Sequence, residues 1–265
     1  MIKLGAVPFL NVRPLVYALE EGLIKNDFEI VYENPSRLSS LLFEKKVDLG
    51  LIPVAELLKR DIYRIVPNVS ISSNGEVASV VLLSKKSVGE IKTVAVDSRS
   101  QSSSSLLRII LERFNNINPG YVERNPDDNF LDGVDAGMYI GNTGLRMRHS
   151  PPGGYKVIDL GEVWTKETGL PFVYAVYAVG EGVNLGKNLE ALEMAKVMGL
   201  KLTKRIAKIY ANEINLSENI CYEYLTERIH YNLGDKEIEG INAFRNLLSK
   251  IDADIKNSGL KFYKA

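Results

Sequence analysis

Apolar and polar positions along this chain repeat with two periods. Residues 2–7 alternate as a short strand, and the turn Pro8-Phe9-Leu10-Asn11 follows. Pro14 suits a first helical position, and Leu15, Val16, Ala18 and Leu19 form an apolar helix that Gly22 closes. Residues 28–32 read as a second strand. Pro35 opens a second helix with Leu38, Leu41 and Leu42 on one face. Residues 47–53 form a third, buried strand, and the helical AELLKR comes after it. Strand–helix alternation predicts a mostly parallel sheet with helices on its faces.

The pattern then restarts. Residues 65–72 lead into the turn Ser73-Asn74-Gly75 and a long β run at 77–84. Residues 94–114 open a second strand–helix unit, with further strands predicted at 121–122, 136–140 and 157–160. The stretch 127–134 between two of these reads as a short helix or loop. A second long β run occupies 173–179. The remainder is helical: one helix from Leu189 through Met198, continued by Leu202, Ile206 and Ile209, another around Tyr224, and a last from Ile238 to Ile251. Two long β runs bracketing one α/β unit are candidate crossings between domains. The expected organisation is an α/β chain of two lobes, residues 1–84 with 178–265 and residues 85–177, with a cleft between them.

Within this pattern one stretch carries candidate chemistry. Val94, Ala95 and Val96 stop at a cluster of Ser98, Ser100, Ser102, Ser103, Ser104 and Ser105, and helical spacing resumes at Leu106, Leu107 and Ile110. This is strand, hydroxyl-rich turn, helix N-terminus. The first N–H groups of a helix lack intrahelical partners and carry positive partial charge, so hydroxyls beside them suit a carboxylate or phosphate. One serine suffices for a cap; four consecutive serines predict an anion site. Ligands of open α/β sheets sit beyond the carboxyl ends of strands. Residues 8–13, 98–103 and 141–143 all fall there, so the cleft is expected to be lined by Asn, Ser and backbone N–H.

Composition narrows the chemistry. The 265 residues carry 33 basic and 33 acidic side chains, which favours neither nucleic acid nor an anionic membrane as partner. One cysteine, Cys221, leaves no internal disulfide, and two histidines argue against a His-based metal site. No signal peptide or membrane span is evident, so a cytoplasmic protein is expected. Neither a Ser–His–Asp set nor a Walker or dinucleotide glycine pattern is present. A binder of a small polar or anionic molecule remains, with any chemistry coming from positioning and hydrogen bonding. Trp164 and Cys221 read as core, and His149 and His230 as surface.

Several segments resemble the chorismate dehydratase family of the futalosine route to menaquinone. They are Pro8-Phe-Leu-Asn-Val-Arg-Pro-Leu15, Val47-Asp-Leu-Gly-Leu-Ile-Pro53, Ile71-Ser-Ser-Asn-Gly-Glu-Val-Ala-Ser-Val80, the serine turn, Tyr139-Ile-Gly-Asn142 and Asp159-Leu-Gly-Glu-Val-Trp-Thr-Lys-Glu-Thr-Gly-Leu-Pro-Phe172. The resemblance implies a two-lobed, periplasmic-binding-protein-like type II fold with two mixed sheets and flanking helices. It implies loss of water from chorismate to give 3-[(1-carboxyvinyl)oxy]benzoate, without a cofactor. It places Asn11 and Ser79 as catalytic residues, and Ser100, Gln101, Ser102, Ser103, Gly141 and Asn142 around the substrate. The family usually carries Arg where Gln101 stands and Asp where Asn142 stands. Gln101 and Asn142 could pair with each other, or Arg13, Arg99 or Arg146 could supply a charge to a substrate carboxylate. The alternatives are a non-catalytic binder of a small carboxylate, as a solute-binding or sensory module, and a divergent relative acting on another aromatic-pathway acid. The sister family, 1,4-dihydroxy-6-naphthoate synthase, begins with a different turn and relies on a histidine.

Overall fold

The computed structural model describes residues 1–126 and 129–264. Each lobe is built on a five-stranded sheet. The first half of the chain supplies β1 (Ile2–Ala6), α1 (Arg13–Glu20), β2 (Phe28–Tyr32), α2 (Pro35–Phe43), β3 (Leu49–Pro53), α3 (Val54–Lys59), β4 (Arg64–Ser73) and β5 (Val80–Ser84). There follow β6 (Thr93–Asp97), α4 (Ser102–Arg108, running on as a π-helical segment, Ile109–Phe114), β7 (Gly120–Arg124), β8 (Ala136–Ile140), α5 (Gly141–His149), β9 (Lys156–Asp159) and α6 (Leu160–Thr168). The chain ends with β10 (Phe172–Val179), α7 (Asn188–Lys201), α8 (Thr203–Ala211), α9 (Glu218–Glu223, running on as a π-helical segment, Tyr224–Arg228) and α10 (Asp235–Leu248).

The sheets have orders β2-β1-β3-β10-β4 and β7-β6-β8-β5-β9. Both are mixed. β1 runs parallel to β2 and β3, while β10 is antiparallel to β3 and β4. Likewise β6 is parallel to β7 and β8, while β5 is antiparallel to β8 and β9.

The long β runs are not the crossings. Residues 80–84, expected in the first lobe, pair with β8 and β9 in the second sheet; residues 172–177, expected in the second lobe, pair with β3 and β4 in the first. Their unbroken apolarity has another cause. Each lies between two neighbours in its sheet and is buried on both faces, which suppresses alternation. The chain crosses instead at residues 74–79 and 169–171, and Thr165 of α6 links the two: its Oγ1 accepts from the Gly75 N–H at 2.9 Å and donates to the Leu170 carbonyl at 3.3 Å. The helix expected to continue from Met198 through Ile209 breaks at Leu202 into α7 and α8. Of the stretch 127–134, residues 129–133 form turns, and Asp127 and Asp128 lie outside the described residues.

One apolar core runs through both lobes. Trp164 of α6, fully buried, meets Phe172 of β10 at 5.2 Å, Phe244 of α10 at 6.1 Å and Phe114 at 6.3 Å between ring centroids. Cys221 is also buried, and His149 and His230 are exposed.

Behind the Asn11 turn, α7 packs on α1 so closely that a Cβ at Gly199 would lie 1.8 Å from the Pro14 carbonyl oxygen. That atom is backbone and cannot swing aside. Gly199→Ala is therefore expected to lower the unfolding free energy by about 1–3 kcal/mol. Urea denaturation reads this as a lower midpoint with unchanged slope; an unchanged midpoint contradicts the packing.

Candidate functional site

The strand ends of both sheets open on one cavity. From the first lobe come Val7 and Asn11 beyond β1, Leu51 and Pro53 of β3, and Ile71 of β4. From the second come Ser79 and Val80, Ser100 to Ser103 beyond β6, and Ile140 and Gly141 at the end of β8. Asn11 is the middle residue of a 3-10 turn, Leu10–Val12, that leads directly into α1. Gly141 has φ +58°, and a Cβ there would sit 2.9 Å from the Phe9 ring, which also lines the cavity. Glycine meets both demands at once.

Seven of the eight residues predicted for the site, Asn11, Ser79, Ser100, Gln101, Ser102, Ser103 and Gly141, line this cavity. Asn142 does not. Its Oδ1 accepts from the Leu10 N–H at 2.9 Å, and its Nδ2 donates to the Pro8 carbonyl, so it ties α5 to the turn carrying Asn11. Gln101 and Asn142 do not pair. The serines also divide. Ser102 Oγ accepts from the buried Ala55 N–H of α3 at 3.1 Å, a second bond between the lobes. Ser104 donates back to the Ser100 carbonyl, and Ser98 donates to Asn125.

Among the described residues no Asp, Glu, His, Lys or Arg lines the cavity. Arg13 donates to the Tyr32 hydroxyl and lies over the Tyr32 and Tyr210 rings. Arg99 chelates Asp97 through two bonds of 2.8 and 2.6 Å, and Arg146 donates to Thr143. Positive potential in the cavity therefore comes from the N-terminal ends of α4 and α5, at Ser102 and Gly141. Two buried amide oxygens, Asn11 Oδ1 and Gln101 Oε1, have no hydrogen-bond partner. Both residues line the cavity, so a ligand with O–H or N–H groups can satisfy these acceptors there. Among the described residues no three His, Cys, Asp or Glu side chains group as metal ligands.

Ser79 sits on the first crossing and is held from three sides. Ala78 has φ +62°, a strained value for a residue with a Cβ. The buried Asp159 carboxylate stabilises that turn by accepting from the Val77 and Ala78 N–H groups at 3.0 and 2.7 Å, and it also caps α6 through the Glu162 N–H. On another side, a Cβ at Gly144 would lie 2.2 Å from the Ser79 carbonyl oxygen, so only glycine lets α5 approach. Behind Ser79, the Tyr224 hydroxyl donates to Ser79 Oγ at 2.8 Å.

Asp159 and Tyr224 were missed by the sequence reading of the site. For Asp159 a signal existed: Asp159-Leu-Gly-Glu162 has the spacing of an N-terminal capping box. For Tyr224 none did, because its helical spacing is that of a core residue.

The paired mixed sheets and the cleft at their strand ends are those of the periplasmic-binding-protein-like fold. An Archaeoglobus fulgidus protein superposes with a TM-score of 0.80 at 19% identity, covering 96% of this chain and 98% of its own. The alkanesulfonate-binding protein SsuA of Xanthomonas axonopodis pv. citri does so at 0.73 and 16%, covering 100% and 98%. Residues 2–250 match the family model described as menaquinone biosynthesis, and the chain belongs to that family. A chorismate dehydratase of Thermus thermophilus is 28% identical over 262 residues, 92% of this chain and 94% of the relative. One from Campylobacter jejuni is 24% identical over 244 residues, 91% and 94% of the two chains. Among the described residues no helix is long and apolar enough to cross a membrane.

Burial pushes the Asp159 carboxyl up to about 6, against three backbone N–H bonds that pull it down. A carboxyl raised in the folded state stabilises the fold most at low pH, below its unfolded value. That contribution is lost as pH rises through about 6. It amounts to something on the order of 3 kcal/mol. Urea denaturation between pH 4 and 7 is expected to show this decline, superimposed on other titrations, and Asp159→Asn to flatten it. A variant with the wild-type slope contradicts the assignment.

Proposed function

We propose that this protein is a chorismate dehydratase, a hydro-lyase that removes water from chorismate to give 3-[(1-carboxyvinyl)oxy]benzoate. The observation that carries the reading is the convergence of Asn11, Ser79 and the serine turn, from opposite lobes, on one cavity that no charged side chain lines among the described residues. Family membership and the two named dehydratase relatives support the same reaction.

On this reading chorismate lies between the lobes. Its carboxylates take hydrogen bonds from Ser102, Ser103 and the N–H groups at the starts of α4 and α5. Gln101 and Gly141 complete the wall. Asn11 and Ser79 orient the ring and assist departure of the 4-hydroxyl. The ring C–H bond beside that hydroxyl breaks, its electron pair enters the ring, and the C–O pair leaves with oxygen. Aromatisation drives the loss. Since no carboxylate, imidazole or amine lines the cavity among the described residues, a carboxylate of the substrate itself takes the ring proton, which ends in the released water. Tyr174 is unsuited as a base, because burial holds its hydroxyl well above the ordinary phenol range.

A second reading, a carboxylate-binding module, is favoured by that same lack of acid–base groups and by the solute-binding fold. The two readings separate on incubation with chorismate. The dehydratase reading expects the aromatic ether by chromatography and proton NMR, and turnover about 10²-fold lower in Asn11→Ala and Ser79→Ala. Recovery of unchanged chorismate from folded protein contradicts it. Wild-type turnover in both variants removes the site assignment.

A further inference from the structure

The residue behind the cavity holds two of its side chains at once. Tyr224 is the first residue of the π-helical segment after α9, a distortion of the kind that often accompanies function. Its ring is buried, and it is not part of the cavity wall. Its hydroxyl donates to Ser79 Oγ at 2.8 Å, across 145 residues of sequence. The Asn11 side chain faces the same hydroxyl. Because Asn11 Oδ1 has no partner, the group facing Tyr224 is the Asn11 amide nitrogen. One phenol thus donates to Ser79 and faces the Asn11 amide.

We propose that Tyr224 is a positioning residue that fixes the hydrogen-bonding sense of both side chains, so that Asn11 offers the substrate a carbonyl acceptor and Ser79 an O–H donor. With its amide nitrogen taken from behind, Asn11 turns Oδ1 toward the cavity. With its oxygen already accepting from Tyr224, Ser79 has its own hydrogen free, and the bond it receives makes that hydrogen a stronger donor. This rests on the dehydratase reading, and it divides the labour on the departing hydroxyl. Ser79 donates to the oxygen as negative charge gathers there, and Asn11 accepts the hydroxyl's own hydrogen. Neither residue is consumed: hydroxide leaves with the C–O electron pair and receives the ring proton as water. Burial keeps the phenol protonated, as the donor role requires.

Tyr224→Phe removes one oxygen and keeps the ring. Turnover of chorismate by the wild type first establishes the reaction. The variant is then expected to lose about 10- to 100-fold in kcat with KM within about threefold, since the bonds that matter form as the hydroxyl departs. The double variant Ser79→Ala, Tyr224→Phe is expected to be slower than Ser79→Ala by clearly less than Tyr224→Phe costs the wild type, because the part of the effect carried by Ser79 is already gone and only the Asn11 part remains. Independently of any reaction, the Asn11 side-chain amide protons, followed by nitrogen–proton NMR, are expected to shift and to exchange faster in Tyr224→Phe. If the wild type leaves chorismate unchanged, the dehydratase reading fails and the amide signals alone judge the hydrogen-bond arrangement. Wild-type kcat in Tyr224→Phe, additive losses in the double variant, or unmoved Asn11 signals overturn the proposal.

Discussion

The site depends on a buried carboxylate. Asp159 stands where the second sheet ends and α6 begins, and its oxygens accept three backbone N–H groups, two from the first crossing and one from α6. Without it, Ala78 would have no reason to hold a left-handed conformation, and Ser79 would have no fixed direction. The carboxylate loses hydration on burial and recovers part of that loss from three donors arranged around it. A hydrogen-bonded anion thus does for the crossing what a tight packing contact does elsewhere: it selects one backbone path. Gly144 and Tyr224 then fix the remaining freedom of Ser79 from the side and from behind.

The two lobes are coupled more tightly than their separate sheets suggest. An apolar core crosses between them at Trp164, and hydrogen bonds join them at the cavity, among them Ala55 to Ser102 and Leu10 to Asn142. Both acceptors belong to the second lobe and both donors are backbone N–H groups of the first. The cavity is thereby shaped by contacts that the ligand does not have to supply. Among the described residues its wall is uncharged, so no ion pair among them must be broken when an anion enters. What it offers is fixed dipoles: helix ends, hydroxyls and amides. Such groups stabilise charge without reorganising, which suits a reaction that needs holding more than proton transfer.

Much of this was legible in the sequence, and the reasons differ by residue. Asn11, Gly141 and the serine turn could be placed because they follow apolar strands, and strand ends are where such sheets bind ligands. The run around Trp164 pointed to the family before any geometry was known. The crossings were misplaced because a long apolar run has two explanations, a bridge between lobes or a strand enclosed on both sides, and periodicity cannot separate them. Asn142 was assigned to the substrate, but its amide is engaged by the Leu10 and Pro8 backbone, a long-range pairing that no local pattern encodes. Tyr224 stayed invisible for a related reason. Its contact with Ser79 spans most of the chain, and on its own helix it looks like any other buried aromatic.

The central claim is that residues from both lobes grip a single acid in one cleft. The most direct measurement is a crystal structure of the Asn11→Ala variant grown with chorismate. The account predicts density between the lobes, with one carboxylate against Ser102 and Ser103 and the ring hydroxyl within hydrogen-bonding distance of Ser79. Chorismate bound elsewhere on the molecule, or an empty cleft at saturating chorismate, would contradict it.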